Sequence, residues 1–246
     1  MAAESGMIKT EPMGKGDVFM TTLKKRTPLR ERVLPDYTHG EELMNMITHI
    51  VGGAIGLLIL IGGIIISAQH GDPWAIVSSS IYGFLTCCLF VVSSVYHGLP
   101  DSMGKRVMQI VDHCTIYFMI AGTYTPVLLV SIRKESPAAA WIVLLIEWGC
   151  AMGASVFTAI DLKKYSKLSM IFYLCMGWAI VVIIPMTLRA LTLRGFLWLL
   201  GGGLCYTVGA VLYGLGKKHR YVHGIFHLFV NAGSLLQAIA ILFYVL

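Results

Sequence analysis

Residues 44–67 read MNMITHIVGGAIGLLILIGGIIIS and contain no Asp, Glu, Lys or Arg. About 20 consecutive apolar residues wind into roughly 30 Å of helix, the thickness of a bilayer's hydrocarbon core. This stretch is expected to cross a membrane. It lacks the alternation of a barrel strand. Working outward, six more apolar runs follow at about 74–97, 105–131, 138–160, 168–186, 195–215 and 222–246, separated by short polar joints. The expected architecture is all-α, a polytopic membrane protein with a seven-transmembrane helix bundle over residues 39–246. Prolines fall inside two of the runs, at Pro126 and Pro185. Both lie near span ends, where a kink is tolerated if neighbouring groups take up the freed carbonyls.

Composition agrees. Hydrophobic residues make up 57% of the 246 and charged residues 13%, against about 25% charge in a soluble domain. A soluble globular protein, a disordered chain and a coiled coil are disfavoured. Residues 1–38 form a polar, basic tail with seven Lys/Arg and five acidic residues. No apolar run begins within the first 30 residues, so a flexible or surface-lying cytoplasmic arm is expected, not a signal peptide. The net charge of +6 is read as membrane orientation, with no nucleic-acid partner. Of the 19 Lys/Arg, 15 fall in the tail and in the joints after the second, fourth and sixth runs; the other joints hold Arg133, Lys134, Arg189 and Arg194. That split places the N-terminus in the cytoplasm and the C-terminus outside. The six Cys all lie in apolar runs without a C-x-x-C pair, and read as small packing residues.

Ionisable groups inside a membrane are costly, and each is a functional candidate. Here they are His49, His97, Asp112, His113, Glu147, His223 and His227. The topology puts His97, Asp112, His223 and His227 at similar depth near the cytoplasmic leaflet, from three distant stretches, with His49 level with them. His223 and His227 are four apart and share a helix face, as do Ser93 and His97. Three imidazoles make a three-histidine zinc site whose fourth position is left for water, the catalytic arrangement. Zinc lowers the pKa of such a water toward about 7. Asp112 is placed to act as its base, and Ser93 to orient the water or donate to a substrate carbonyl. Two other readings stay open: a buried hydrogen-bond network tying the helices together, and a metal-free proton relay. His49 reads as a packing or supporting residue more than a fourth ligand. His113 reads as interhelical or headgroup-facing, and His70 and His219 as surface. Glu147 reads as a neutral packing carboxyl, with a substrate or proton contact as its alternative. Gly62-Gly63 and Gly201-Gly202-Gly203 suit close helix approach rather than phosphate binding.

Four motifs carry a family resemblance: Glu42, Asn45 and His49 in EELMNMITHIVG; Ser93 and His97 in SSVYHGL; Asp112 with IAGTYTP at 120–126; and His223 and His227 in HGIFHLF. From about residue 39 onward the chain resembles the hemolysin III family, the bacterial branch of the progestin and adiponectin receptor superfamily. The resemblance implies a seven-helix bundle with the N-terminus inside, in a bacterial inner (plasma) membrane. It also implies zinc near the cytoplasmic leaflet on His97, His223 and His227, with Asp112 contacting the metal's water and Ser93 beside it. Superfamily members are linked to lipid-amide hydrolysis.

Two classes of function follow. The first is a zinc-dependent hydrolase of a lipid amide or ester, ceramidase-like, with the apolar tail between helices and membrane lipids as environment and substrate. The second is a non-enzymatic sensor of lipid or membrane state, receptor-like, in which zinc is structural. A pore is disfavoured, because the polar groups cluster at one depth instead of lining a lumen.

Overall fold

The computed structural model describes residues 27–216 and 219–246. The first 26 residues of the expected tail, with Lys24, Lys25 and Arg26, lie outside the described residues, as do Lys217 and Lys218 of the last basic joint. The described chain is helical: α1 His39–His70, α2 Pro73–Gly98, α3 Met103–Pro126, α4 Pro137–Ile160, α5 Ser166–Gly177, α6 Ile184–Gly216 and α7 Val222–Tyr244.

Local chemistry sets the boundaries. Thr38 caps α1 in a reciprocal box: its hydroxyl accepts from the Glu41 amide, and the Glu41 carboxylate accepts from the Thr38 amide. This satisfies two amides that a helix start otherwise leaves bare. Gly71, at φ 65°, ends the helix in the left-handed conformation that glycine adopts without penalty. Asp72 and Pro73 then start α2, Ser102 caps α3, and Ser136 and Pro137 start α4. Beyond Pro126 the helix continues as a π-turn, Val127–Ile132, and a last short turn, Arg133–Glu135. Proline lacks the N–H of an α-helical bond, and the wider turn follows directly on it.

Six helical segments among the described residues are long and apolar enough to cross a membrane, so the protein is a polytopic all-α membrane protein. One of the six, Ser166–Gly216, has 51 residues. At 1.5 Å per residue that is about 76 Å, more than twice a bilayer core. It is broken in two places. After α5 the chain passes through a 3₁₀ stretch, Ala179–Ile183. There the Tyr124 hydroxyl donates to the Gly177 carbonyl (3.1 Å) and accepts from the Ile180 amide (2.8 Å). The second break is Thr192, at φ 61° and ψ 166°, where two helices meet across a kink. Pro185, near the end of its apolar run, is not where the direction changes: it sits in the first turn of α6, where its missing N–H costs no bond.

Past the kink, α6 runs antiparallel to α7. Glycines at Gly195, Gly202, Gly209 and Gly216 recur every seventh residue and face Tyr244, Gly233 with Gln237, Phe226 and His223 in turn. A methyl group at Gly195 would meet Tyr244 Cβ at 2.7 Å, so the stripe permits the close approach that small residues give membrane helices. The α3 segment is central. Of its apolar window 78% is buried, against 17–44% for the other segments. Outward-facing side chains such as Leu58, Leu145, Val182 and Phe243 are 69–82% exposed and suit contact with lipid tails.

The joints sort into two ends. At one, Thr27 donates to Asp161 (3.2 Å), Arg106 to the Arg32 carbonyl (3.0 Å) and the Tyr221 amide to Glu41 (2.8 Å). At the other, Arg189 meets Glu135 (3.2 Å) and Arg133 lies over the Trp74 ring (4.5 Å).

Candidate metal centre and its cavity

The end of α2 and the first two turns of α7 bring His97, His223 and His227 together. One ring nitrogen of each lies within 4.8 Å of the others. His97 and His227 are 3% and 2% exposed, and His223 is partly buried. The arrangement arises because α2 ends at Gly98 just as α7 begins at Val222, so three imidazoles occupy adjacent helix termini at one depth.

Hydrogen bonds settle which nitrogen faces inward. His97 donates its Nδ1–H to Glu42 Oε2 at 2.6 Å. The other Glu42 oxygen accepts from Lys105 Nζ at 2.6 Å, and Lys105 also donates to the Leu99 carbonyl at 2.8 Å. His227 donates its Nδ1–H to the Asn45 carbonyl at 3.3 Å, with the Thr48 hydroxyl 3.4 Å from the same nitrogen. Both rings therefore carry their hydrogen on Nδ1, and both Nε2 atoms are bare lone pairs. His97 Nε2 is buried with no hydrogen-bond partner. His227 Nε2 lies 3.1 Å from His223 Nε2. Converging lone pairs repel unless a proton or a cation lies among them. The outer nitrogens held by a carboxylate and a carbonyl are the usual support of metal-binding histidines. The donor set fits a divalent ion of the zinc class.

Ser93 and Asp112 line a cavity together with His223 and His227. Asp112 stands on α3 with its side chain 14% exposed, and Ser93 lines the same cavity from α2. The cavity offers about 160 Å³ to the centre of a water molecule and continues along α7 past Met119 and Tyr206 to Trp178 and Gln237. A smaller cavity shares Tyr124, Trp178 and Gln237 with it and extends to Val127 and Leu199. Beyond the histidines the lining is mainly apolar, interrupted by Thr123, Tyr206, Thr207 and Gln237.

The other candidates stand outside the three-nitrogen group, although His49 and His113 line the cavity. The His49 ring packs on His227 at 3.8 Å between centroids, but its nitrogens stand outside the three-nitrogen group. His113 is interhelical, with Nε2 3.2 Å from the Tyr213 hydroxyl. His70 and His219 are exposed. Glu147 is 1% exposed, with Oε2 unpaired, and does not line the cavity.

Sequence reasoning assigned Tyr37 no role, counted Lys105 only among the charges that set orientation, and placed Glu42 and Asn45 only within a motif. Tyr37 stacks on His223 at 5.1 Å and lies 5.9 Å from His97, closing the cluster from the chain's N-terminal side. Burial, reinforced by the neighbouring Tyr213, Glu42, Asp112 and Glu41, pushes its hydroxyl far above the ordinary range. Glu42, Asn45 and His49, at spacings of three and four, share one face of α1, and that spacing was the available signal. Nothing local marks Lys105, whose partner is 63 residues away.

The chain is similar to known proteins along most of its length. The chain is 38% identical over 206 residues to Hemolysin-3 of Bacillus cereus, covering 84% of this chain and 92% of that one. It is 36% identical over 208 residues to the Hemolysin-3 homolog of Bacillus subtilis, covering 85% and 96%. It is 29% identical over 230 residues to the human Monocyte to macrophage differentiation factor, covering 91% of each chain. Residues 37–238 match the family described as Haemolysin-III related, and the chain belongs to that family.

Proposed function

We propose that the protein is a zinc-dependent hydrolase of a lipid amide or ester, acting inside a bacterial plasma membrane. Its polypeptide crosses that membrane seven times, with the N-terminus in the cytoplasm. The break at Thr192 and the sorting of joints to two ends support the odd number of spans. The basic end carries the histidines, so the positive-inside rule sets them beneath the inner headgroups.

One observation carries the reading. Three imidazoles converge, two of them with Nδ1–H already committed, and His223 and His227 line the same cavity as Asp112 and Ser93. His97, His223 and His227 would hold the ion through their inward nitrogens. When bound, zinc supplies Lewis acidity toward a carbonyl and toward water. Asp112 takes the proton of the attacking water and passes it to the departing amine or alkoxide. Ser93, in the same cavity, donates to the substrate's polar group. The apolar length beyond Met119 holds the acyl chain.

Zinc quantification on the purified parent and on His97→Ala, His223→Ala and His227→Ala is the direct test. The parent is expected to hold one ion per chain and each variant less than a tenth of that. Fatty-acid release from a ceramide and lysolipid panel is read alongside. Metal-free parent protein that takes up no zinc refutes the site. A zinc-loaded parent without turnover on the panel leaves a lipid sensor with structural zinc.

A further inference from the structure

The three clustered histidines are walled in by other rings. Tyr96 lies against His97 at 4.6 Å between centroids, Phe226 against His227 at 5.3 Å and Tyr213 against His223 at 5.7 Å. These rings, and His49 beside His227, stand on the long helices. Among the described residues one ring of the wall does not. Tyr37, stacked on His223 and tilted beside His97, belongs to the segment before α1. Neither Tyr37 nor His97 lines the cavity, so Tyr37 meets the cluster from outside that space, on the side from which α1 starts.

A ring on a packed helix moves only with that helix, whereas a ring on a connecting segment moves when the segment lets go. Residues 27–38 cross the end of the bundle as a strap. Its ties are polar: the Thr27 amide donates to Asp161, the Arg32 guanidinium to the Ile160 carbonyl, and Arg106 to the Arg32 carbonyl. Its 3₁₀ turn, Leu29–Glu31, buries no residue, and Val33 is 81% exposed. A segment with so little apolar burial opens more readily than the helices beside it. Thr38, the cap of α1, follows Tyr37 directly, so the strap pivots one residue from the ring. Between the three histidines and water lie two routes. One is the cavity, whose mainly apolar lining beyond the histidines is costly for an unpaired charge. The other passes Tyr37.

We propose that residues 27–38 form a lid over the metal centre, with the Tyr37 ring as its closing surface, and that opening of the lid sets the rate at which a divalent cation exchanges with water. The lid rests on the three-histidine site proposed above; it is a property of ion exchange and does not require turnover.

The test uses the full chain in nanodiscs, loaded with radioactive zinc and chased with excess unlabelled zinc, while chelator competition reads affinity. Tyr37→Ala is expected to exchange about tenfold or more faster than the parent with little change in affinity, since removing a lid speeds entry as well as exit. Tyr37→Phe keeps the ring and is expected to exchange at the parent's rate. Arg32→Ala unties the strap from the end of α4 without touching the histidines, and is expected to exchange faster than the parent although Tyr37 is intact. If Tyr37→Ala does not stay monodisperse, Tyr37→Leu takes its place. Exchange at the parent's rate in Tyr37→Ala or in Arg32→Ala overturns the proposal. So does faster exchange in Tyr37→Ala matched by an equal loss of affinity, which would make Tyr37 a support of the ligands and not a lid. Exchange in Tyr37→Phe as fast as in Tyr37→Ala also overturns it, because the hydroxyl and not the ring would then hold the ion. A parent that takes up no zinc refutes the site, and the lid with it. A zinc-loaded parent without lipid turnover counts against the hydrolase and leaves the lid standing.

Discussion

The two ends of the bundle bury their side chains on different terms. At the histidine end the interior is rich in polar side chains, several of them with assigned partners: Glu42 is held by His97 and Lys105, His227 by Asn45, and Glu41 by Tyr221. At the opposite end the interior is apolar and tight, with Leu128, Ile132, Ile241 and Ala240 each 0% exposed around the π-turn of α3. Two glutamates sharpen the contrast, Glu42 partly buried at the histidine end and Glu147 buried midway along α4. Glu42 has two charged or polar partners within 2.6 Å, whereas Glu147 is 1% exposed with Oε2 unpaired. The contrast teaches that one end places atoms and the other fills space. A bundle made only to span lipid would not need the first.

The largest expected effect isolates chemistry from placement. Asp112→Asn preserves shape at the cavity wall but cannot take a proton, and general-base catalysis is worth about 10² to 10⁴. Hydrolysis in this variant is expected to fall by that factor while zinc per chain matches the parent. A variant that hydrolyses as fast as the parent removes Asp112 from the reaction.

Next in size is the pair of glutamates. Glu42→Gln keeps volume but strips Lys105 of its counter-charge and weakens the acceptor for His97 Nδ1–H. Losing such outer support typically costs 10- to 100-fold in metal affinity. Chelator competition is expected to show that drop for Glu42→Gln and none for Glu147→Gln. Equal zinc affinity in both would erase the distinction between the two glutamates.

How much of this was visible in the sequence follows the same division. The apolar runs announce helices because a membrane leaves backbone groups no other partners. The i, i+4 histidines announce one face because helical periodicity is fixed. That α6 turns at Thr192, and not at Pro185, was hidden, because the kink depends on where α6 meets α7 and on Tyr124 bracing the preceding 3₁₀ stretch. The seven-residue glycine stripe was present but masked by the adjacent Gly201 and Gly203, which face open space or a distant side chain. Lys105 and Tyr37 were illegible for a different reason: their roles exist only through partners on other segments.

The packed half makes its own prediction. A methyl group at Gly83 would lie 2.5 Å from Leu60 Cα and 2.9 Å from its amide nitrogen, whereas one at Gly62 meets nothing within 4 Å. Backbone cannot swing aside as a side-chain tip can. Gly83→Ala is expected to destabilise by about 1–3 kcal/mol, the usual cost of overpacking, seen as a lower melting temperature in detergent with zinc content unchanged. Gly62→Ala is expected to melt with the parent. Equal melting of both variants would show that α1 and α2 yield at this point.

The smallest effect tests the margin of the histidine end, where the chain before α1 is tied down. Asp161 follows α4, and its oxygens accept from the Lys164 amide (3.0 Å) and the Thr27 amide (3.2 Å). Arg32 reaches the adjacent Ile160 carbonyl at 2.7 Å. Burial works against the ionised carboxylate, but the Lys164 and Thr27 bonds and the Arg32 charge outweigh it and hold Asp161 below the usual carboxylate range. A carboxyl lowered on folding adds stability that is full above its unfolded value, about 3.9, and is lost as pH falls through the folded one. Asp161→Asn removes the charge and one acceptor oxygen. At pH 7 it is expected to melt below the parent by the equivalent of about 0.5–1.5 kcal/mol, the worth of a hydrogen bond. Other carboxylates titrate alike in both proteins, so the difference between the two melting curves isolates this contact. That difference should shrink steadily below about pH 4. A gap of constant width down to pH 3 would mean that the amides, and not the ionised carboxylate, tie Thr27 to the end of α4.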